Sequence, residues 1–189
     1  EEVHHYENVY LLKNKAYLPL GFLAENALAQ ADFGETDPWQ MQNEVFSAAT
    51  GLETPVWRAI AGSQVVALGN GTQVTEQSTR GKLSYSECDE GAYVSYFFSP
   101  NDEGFVCVWL DLPKRNDFVV CINGVELYRE TISLPQMLAV GDVTPTDSVE
   151  VRVLCDAGES GTMTVTASQL DNDLFFRGYD ILNAATLNL

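Results

Sequence analysis

The chain has 189 residues, of which 46% are hydrophobic and 11% aromatic, enough to bury a sizeable core as one domain or two small ones without metals or disulfide staples. Ten basic against 27 acidic residues give a formal net charge of −17, which repels phosphate backbones and anionic lipid headgroups at long range. Nucleic acid is thereby disfavoured as a partner, and docking on an anionic membrane would need a local basic patch that Arg58, Arg80, Lys82, Lys114, Arg115 and Arg129, scattered along the sequence, do not form in it.

From Tyr6 to Leu20 the pattern is short and extended, because Pro19 and Gly21 block any long helix. Gly21 to Ala31 fits a brief helix by its Ala and Leu content and an extended connection equally. Asp37-Pro38 is a clearer signal: Asp is a good N-cap, Pro suits the first helical position, and Gln40 stands where a capping box needs it. The spacing predicts a helix from about Pro38 to Ala49, with Trp39, Val45, Phe46 and Ala49 as its apolar stripe, Trp39 packing on the sandwich that follows, and Gly51 as its stop.

Beyond Ser63 strand-like runs alternate with turn residues at the spacing of an antiparallel sandwich or barrel. They comprise Ser63 to Leu68, Lys82 to Glu87, Ala92 to Ser99, Gly104 to Leu112, and Phe118 to Ile122 paired with Val125 to Tyr128 across Asn123-Gly124. That dipeptide readily takes the positive φ angles of a type I′ turn and marks the strongest hairpin. Val149, Val151 and Val153, and later Met163, Val165 and Ala167, alternate with polar neighbours, so each run buries one face. Asp171-Asn172-Asp173 introduces a short closing helix to about Leu182, and Ala185 to Leu189 reads as a truncated strand. The expected fold is mainly β: an antiparallel, jelly-roll-like β-sandwich with one or two short helices packed on it. The parse is a single unit, with residues 1–62 as extended segment plus helix, 63–170 as sandwich, and 171–189 as closing helix and strand.

Residues that could carry chemistry are sparse. Glu87, Asp89 and Glu90 form the densest acidic cluster, but adjacent turn acids are normally solvated, whereas glycoside hydrolysis needs two carboxyls held about 5 to 9 Å apart. Asp171-Asn172-Asp173 has a D-x-D form suited to a divalent cation, although an N-cap role for Asp173 explains it more simply. Asn101-Asp102-Glu103 reads as a hairpin turn and Asn70-Gly71-Thr72 as a chance sequon in a turn. Cys88, Cys107, Cys121 and Cys155 lack C-x-x-C or His spacing for zinc. They read as buried free thiols or, outside the cell, as a cross-strand pair such as Cys107 with Cys121. No catalytic residue, metal site or cofactor is expected. For sugar stacking, Trp57 and Tyr128 are the candidates, Trp109 being assigned to the core.

No apolar run approaches the roughly 20 residues that span a bilayer, and Glu1-Glu2-Val3-His4-His5 has no signal-peptide character, so the start reads as abrupt. Tyr17-Leu18-Pro19-Leu20-Gly21-Phe22 and Asp37-Pro38-Trp39-Gln40-Met41-Gln42-Asn43, with Tyr6-Glu7-Asn8, the Asn123-Gly124 hairpin and the Leu170 to Leu182 segment, resemble the extracytoplasmic C-terminal region of YfhO-type bacterial membrane proteins. The resemblance implies a multi-pass membrane body of the glycosyltransferase kind, decorating lipoteichoic acid or other envelope polymers of Gram-positive bacteria. This chain would be a non-catalytic part on the outer face, partnered by the rest of its own chain and by a glycan or envelope polymer. Tyr17, Pro19, Gly21, Phe22, Asp37, Pro38, Gln42 and Asn43 carry over only as motif positions with a structural job. The competing expectation is a carbohydrate-binding jelly-roll module of a secreted or surface enzyme.

Overall fold

A computed structural model describes residues 2–6, 9–12, 26–31, 37–67, 73–77 and 81–184. Tyr17, Pro19, Gly21 and Phe22, the sequon at 70–72 and the strand expected at 185–189 lie outside the described residues. Two units emerge: Glu1–Val56 with Asn172–Leu189, and Trp57–Asp171.

The first unit contains the antiparallel pair β1 (Glu2–Tyr6) and β2 (Val9–Leu12), then α1 (Ala27–Gln30), α2 (Pro38–Thr50) and, from the end of the chain, α3 (Asn172–Ala184). The undecided stretch before Ala31 therefore holds a four-residue helix. In α2, the Asp37 side chain accepts from the N–H groups of Trp39 and Gln40 at 2.8 and 3.2 Å. These would otherwise be orphan donors of the first turn. Gln40 turns its side-chain amide forward to Glu44 Oε1 at 2.8 Å. Gly51 ends the helix at φ 74°, its N–H returning to the Ser47 carbonyl at 2.8 Å. Val45, expected in the apolar stripe, is exposed, whereas Trp39 and Ala49 are buried. Gly178 of α3 lies so close to α2 that a Cβ there would stand 2.4 Å from Phe46 Cζ.

Among its described residues the second unit is a sandwich of eleven strands: β3 (Trp57–Ile60), β4 (Gly62–Ala67), β5 (Gln73–Gln77), β6 (Lys82–Ser86), β7 (Tyr93–Phe98), β8 (Gly104–Asp111), β9 (Asn116–Ile122), β10 (Val125–Ile132), β11 (Gln136–Val143), β12 (Val149–Leu154) and β13 (Gly161–Leu170). One sheet runs β10-β9-β12-β7-β4; the other runs β11-β8-β13-β6-β5, with β3 also on β13, and the strand pairings are antiparallel. The last two strands each enter the middle of a sheet, β12 between β7 and β9 and β13 between β8 and β6, which makes the arrangement jelly-roll-like.

Period-two alternation puts Val94, Tyr96 and Phe98, Val106, Val108 and Leu110, Phe118 and Val120, Val149, Val151 and Val153, and Met163, Val165 and Ala167 into one core between the sheets. Burial of each large apolar side chain contributes about 1.5–3 kcal/mol. Asn123 and Gly124 have φ 53° and 77°, as the Asn-Gly hairpin required, and Asn123 further bonds Asp147 and Ser148 through its side chain. Two expectations are corrected. Trp109 alternates out of phase with Val108 and Leu110, so it faces away from the inter-sheet core, half-buried between Met137 and Thr166 in register. Cys107 and Cys121 lie in different sheets and both fall outside the inter-sheet core cluster, on opposite outer sides, so they are not a cross-strand pair.

Candidate functional site

Three connections converge at one end of the sandwich: 87–92 between β6 and β7, 112–115 between β8 and β9, and 155–160 between β12 and β13. Two backbone hydrogen bonds clamp the first to the third, Cys88 N–H to the Glu159 carbonyl at 2.9 Å and Gly158 N–H to the Cys88 carbonyl at 2.7 Å. A third, from Cys155 N–H to the Ala92 carbonyl, also measures 2.9 Å. Gly158 sits at φ 74°, a left-handed conformation that glycine takes without steric penalty.

This clamp buries Glu159, which is 5% exposed. Its Oε1 accepts the Tyr85 hydroxyl at 2.5 Å, both oxygens accept Asn116 Nδ2 at 3.1 Å, and Oε2 accepts the Asp156 N–H at 2.8 Å. Lys114 Nζ stands 3.7 Å from Oε2 while bonding Asp156 Oδ2 at 2.9 Å. A buried carboxyl is thus met by donors on every side, as a polar group removed from water requires. Burial, joined by the hydrogen bond to Glu159, pushes the Tyr85 hydroxyl far above its ordinary pKa, so Tyr85 acts as a donor and not as a base. The hydrogen bond to Asp156 raises the ammonium pKa of Lys114.

Over this box opens a cleft of about 390 Å³, walled by Gly91 and Ala92, by Arg115, Asn116 and Asp117, by Thr131, and by Leu154, Cys155 and Asp156. Arg115, Asp117, Thr131 and Asp156 are exposed, and Thr131 Oγ1 donates to Asp117 Oδ1. Asn116 joins the two layers: its amide nitrogen is committed to Glu159 and the Leu154 carbonyl, and its Oδ1 is buried without a partner among the described residues. The cleft offers hydroxyl, carboxyl, amide and guanidinium groups on a fixed strand frame. Such groups can both donate and accept hydrogen bonds towards a polar ligand.

A second polar constellation lies on the outer side of the five-stranded sheet. Glu150 Oε1 accepts from Ser95 Oγ at 2.7 Å and from Arg152 Nη2 at 2.8 Å, while the Arg152 guanidinium lies 5.0 Å from the centre of the Tyr93 ring.

The residues singled out in the sequence fall elsewhere. Glu87, Asp89 and Glu90 are exposed around the buried Cys88. Asp171 precedes the first residue of α3, so Asp173 belongs to the first helical turn and is not its cap. Asp102 pairs with Arg58 at 3.0 Å in the β7–β8 turn. Trp57 opens β3 in one sheet and Tyr128 lies on β10 in the other; neither lines the cleft. Tyr128 stacks edge-on against Phe118 and donates its hydroxyl to the Ala139 carbonyl at 3.2 Å. Asp37 and Pro38 form the start of α2, and Gln42 and Asn43 are half-buried along it. Glu159 and Asn116 were missed by reasoning from sequence. Nothing in Gly-Glu-Ser marks a buried acid, and its donors come from 43 and 74 positions away.

Fold and site together define an antiparallel β-sandwich domain with a polar cleft at its loop end. The chain belongs to the family described as bacterial membrane protein YfhO, whose model matches residues 1–188. Among the described residues no helix is long and apolar enough to cross a membrane. No curated protein matches the chain. Among solved structures it is similar to a family two carbohydrate esterase from Clostridium thermocellum in complex with cellohexaose, at 9% identity and TM-score 0.37, over 58% of this chain and 31% of that one. It is also similar to a family 11 carbohydrate-binding module from Clostridium thermocellum in complex with a β-1,3-1,4-mixed-linked tetrasaccharide, at 14% identity and TM-score 0.34, over 58% of this chain and 88% of that one. A third likeness is to CBM35 from Paenibacillus barcinonensis, at 11% identity and TM-score 0.35, over 58% of this chain and 99% of that one. The chain spans less than a third of the esterase's length.

Proposed function

We propose that this chain is a non-catalytic, extracytoplasmic glycan-holding domain of a multi-pass membrane protein, and that its parent is a glycosyltransferase acting on cell-envelope polymers such as lipoteichoic acid. The observation that carries the binding part is the loop-end cleft, where Arg115, Asp117, Thr131 and Asp156 stand over the box built round Glu159. Hydroxyl-rich ligands are recognised by such mixed donors and acceptors on a rigid frame. Charge sets which part of the polymer binds. A domain of net charge −17 repels polyanions, and Lys114 at the cleft end is engaged by Asp156, so Arg115 is left as the cation facing a ligand. The cleft therefore suits the neutral glycosyl portion, with the anionic backbone held away. Trp57 and Tyr128 contribute at most a peripheral stacking contact in this reading.

The test is a nitrogen–proton NMR titration of the 189-residue chain with neutral gluco-, galacto- and N-acetylglucosamine tetrasaccharides and, separately, with lipoteichoic acid. Shifts confined to amides of 91–92, 115–117, 131 and 154–156 support the reading. Saturating concentrations in the millimolar range without shifts there would overturn it.

A further inference from the structure

The four cysteines are all buried, but they fall into two kinds. Cys107 and Cys121 sit apart in separate sheets, whereas Cys88 and Cys155 belong to the same core cluster at the cleft end. Cys88 follows β6 by two residues and Cys155 directly follows β12. The three backbone bonds described above fix their loops against each other, and both side chains point into the same buried core.

We propose that Cys88 and Cys155 are the site of a disulfide that forms as the chain folds and staples the β6–β7 loop to the β12–β13 loop. Both thiols are free in this structure, and the bond needs their sulfurs about 2.05 Å apart. Chemically, the thiolate of one cysteine attacks a disulfide-bearing oxidant to give a mixed disulfide, and the second thiolate then displaces it. The pair loses two protons and two electrons, and the oxidant's disulfide is reduced to two thiols. Burial raises the pKa of both thiols, which slows attack once the sandwich has closed and assigns oxidation to the folding chain. In the cell the step requires an oxidising compartment, and that part rests on the extracytoplasmic location proposed above. The pairing itself is independent of what the cleft binds.

The staple has a consequence for the cleft. Ala92, Cys155 and Asp156 are part of its wall, so the cross-link fixes one lip. The bond also closes a long loop, 155 − 88 = 67 residues apart, and such closures raise Tm by roughly 5–15 °C in a chain of this size.

The experiment refolds the reduced 189-residue chain with oxidised glutathione, follows β-structure by circular dichroism, and counts alkylatable thiols under denaturing conditions by mass. The expected result is two reactive thiols, a Cys88–Cys155 linked peptide, and a Tm that falls on adding reductant. Cys88→Ala and Cys155→Ala should each leave three thiols, and Cys107→Ala/Cys121→Ala none. The last variant keeps the pair intact, so it reads the proposal even where the single variants fail to fold. Four reactive thiols in the folded wild-type chain, or a bond to Cys107 or Cys121, would overturn it.

Discussion

Tyr85 and Glu159, 74 residues apart, meet through a hydrogen bond between the phenol hydroxyl and carboxylic Oε1 beneath the cleft. Tyr85 is one of several donors to that carboxyl, so its loss and the loss of the acceptor are unequal. Tyr85→Phe removes one bond and leaves Asn116 and the Asp156 N–H in place, at an expected cost of about 1–2 kcal/mol. Glu159→Ala removes the acceptor from three donors at once, of which Asn116 Nδ2 keeps the Leu154 carbonyl, and should lower stability by about 3 kcal/mol or more. Urea unfolding of the two variants measures the difference. Equal losses would mean that the other donors contribute nothing.

Two glycines with nearly the same φ should respond very differently to substitution. Gly81 and Gly124 have φ 78° and 77°. An added Cβ meets nothing within 4 Å at Gly124, but at Gly81 it would stand 1.8 Å from the Val165 carbonyl oxygen on β13. Gly124→Ala should cost only the left-handed strain, about 1 kcal/mol. Gly81→Ala must in addition push the strand away or break the Val165 N–H bond to the Gly81 carbonyl, and should cost several-fold more. Chemical denaturation of both variants decides the matter.

Much of this fold could be read from alternation and turn chemistry. Val149 to Val153 and Met163 to Ala167 announce their inward faces, and Asn123-Gly124 and Asp37-Pro38 set a hairpin and a helix start by local geometry alone. What failed was non-local. Trp109 looked like core because its strand is apolar on both sides; only pairing with β11 and β13 reveals that Val108 and Leu110 take the inward places. Strand β11 (Gln136–Val143) was hidden by Gly141 and Asp142, which sit beyond a register shift near Ala139. The site was least legible, because Glu159 becomes distinctive only through donors from Tyr85 and Asn116, brought to it by the crossing of loops.

Stability should fall at alkaline pH. Burial raises the Cys107 thiol from 9.0 to about 11, and burial, assisted by Glu130, raises the Tyr128 hydroxyl from 10.0 to about 12. In each case the folded state holds its proton more tightly than the unfolded chain, so the stabilising contribution is complete below the unfolded value. It is lost as pH climbs towards the folded one. The urea midpoint is therefore expected to stay flat on this account up to about pH 9 and decline from there to about 12. Cys107→Ala should flatten the lower part of that decline and Tyr128→Phe the upper part. A decline unchanged in both variants would assign it to other groups.

The Glu150–Arg152 pair on the outer side of the five-stranded sheet makes a sharper electrostatic test than the surface ion pairs. Glu150 is nearly buried, with 9% of its side chain exposed, whereas Arg152 is 43% exposed, so water screens the cation more than the acid. Arg152→Met preserves the aliphatic cover but leaves Glu150 with only the Ser95 hydroxyl donating to it among the described side chains, and a buried acid stripped of its cation is costly. Allowing for that screening, the expected loss is about 1–3 kcal/mol. Adding Glu150→Gln removes the unpaired charge, so the double variant should recover part of the loss. A positive coupling in the double-mutant cycle shows that the penalty came from isolating the carboxyl. Strictly additive losses would instead assign it to the packing of Arg152 over Tyr93.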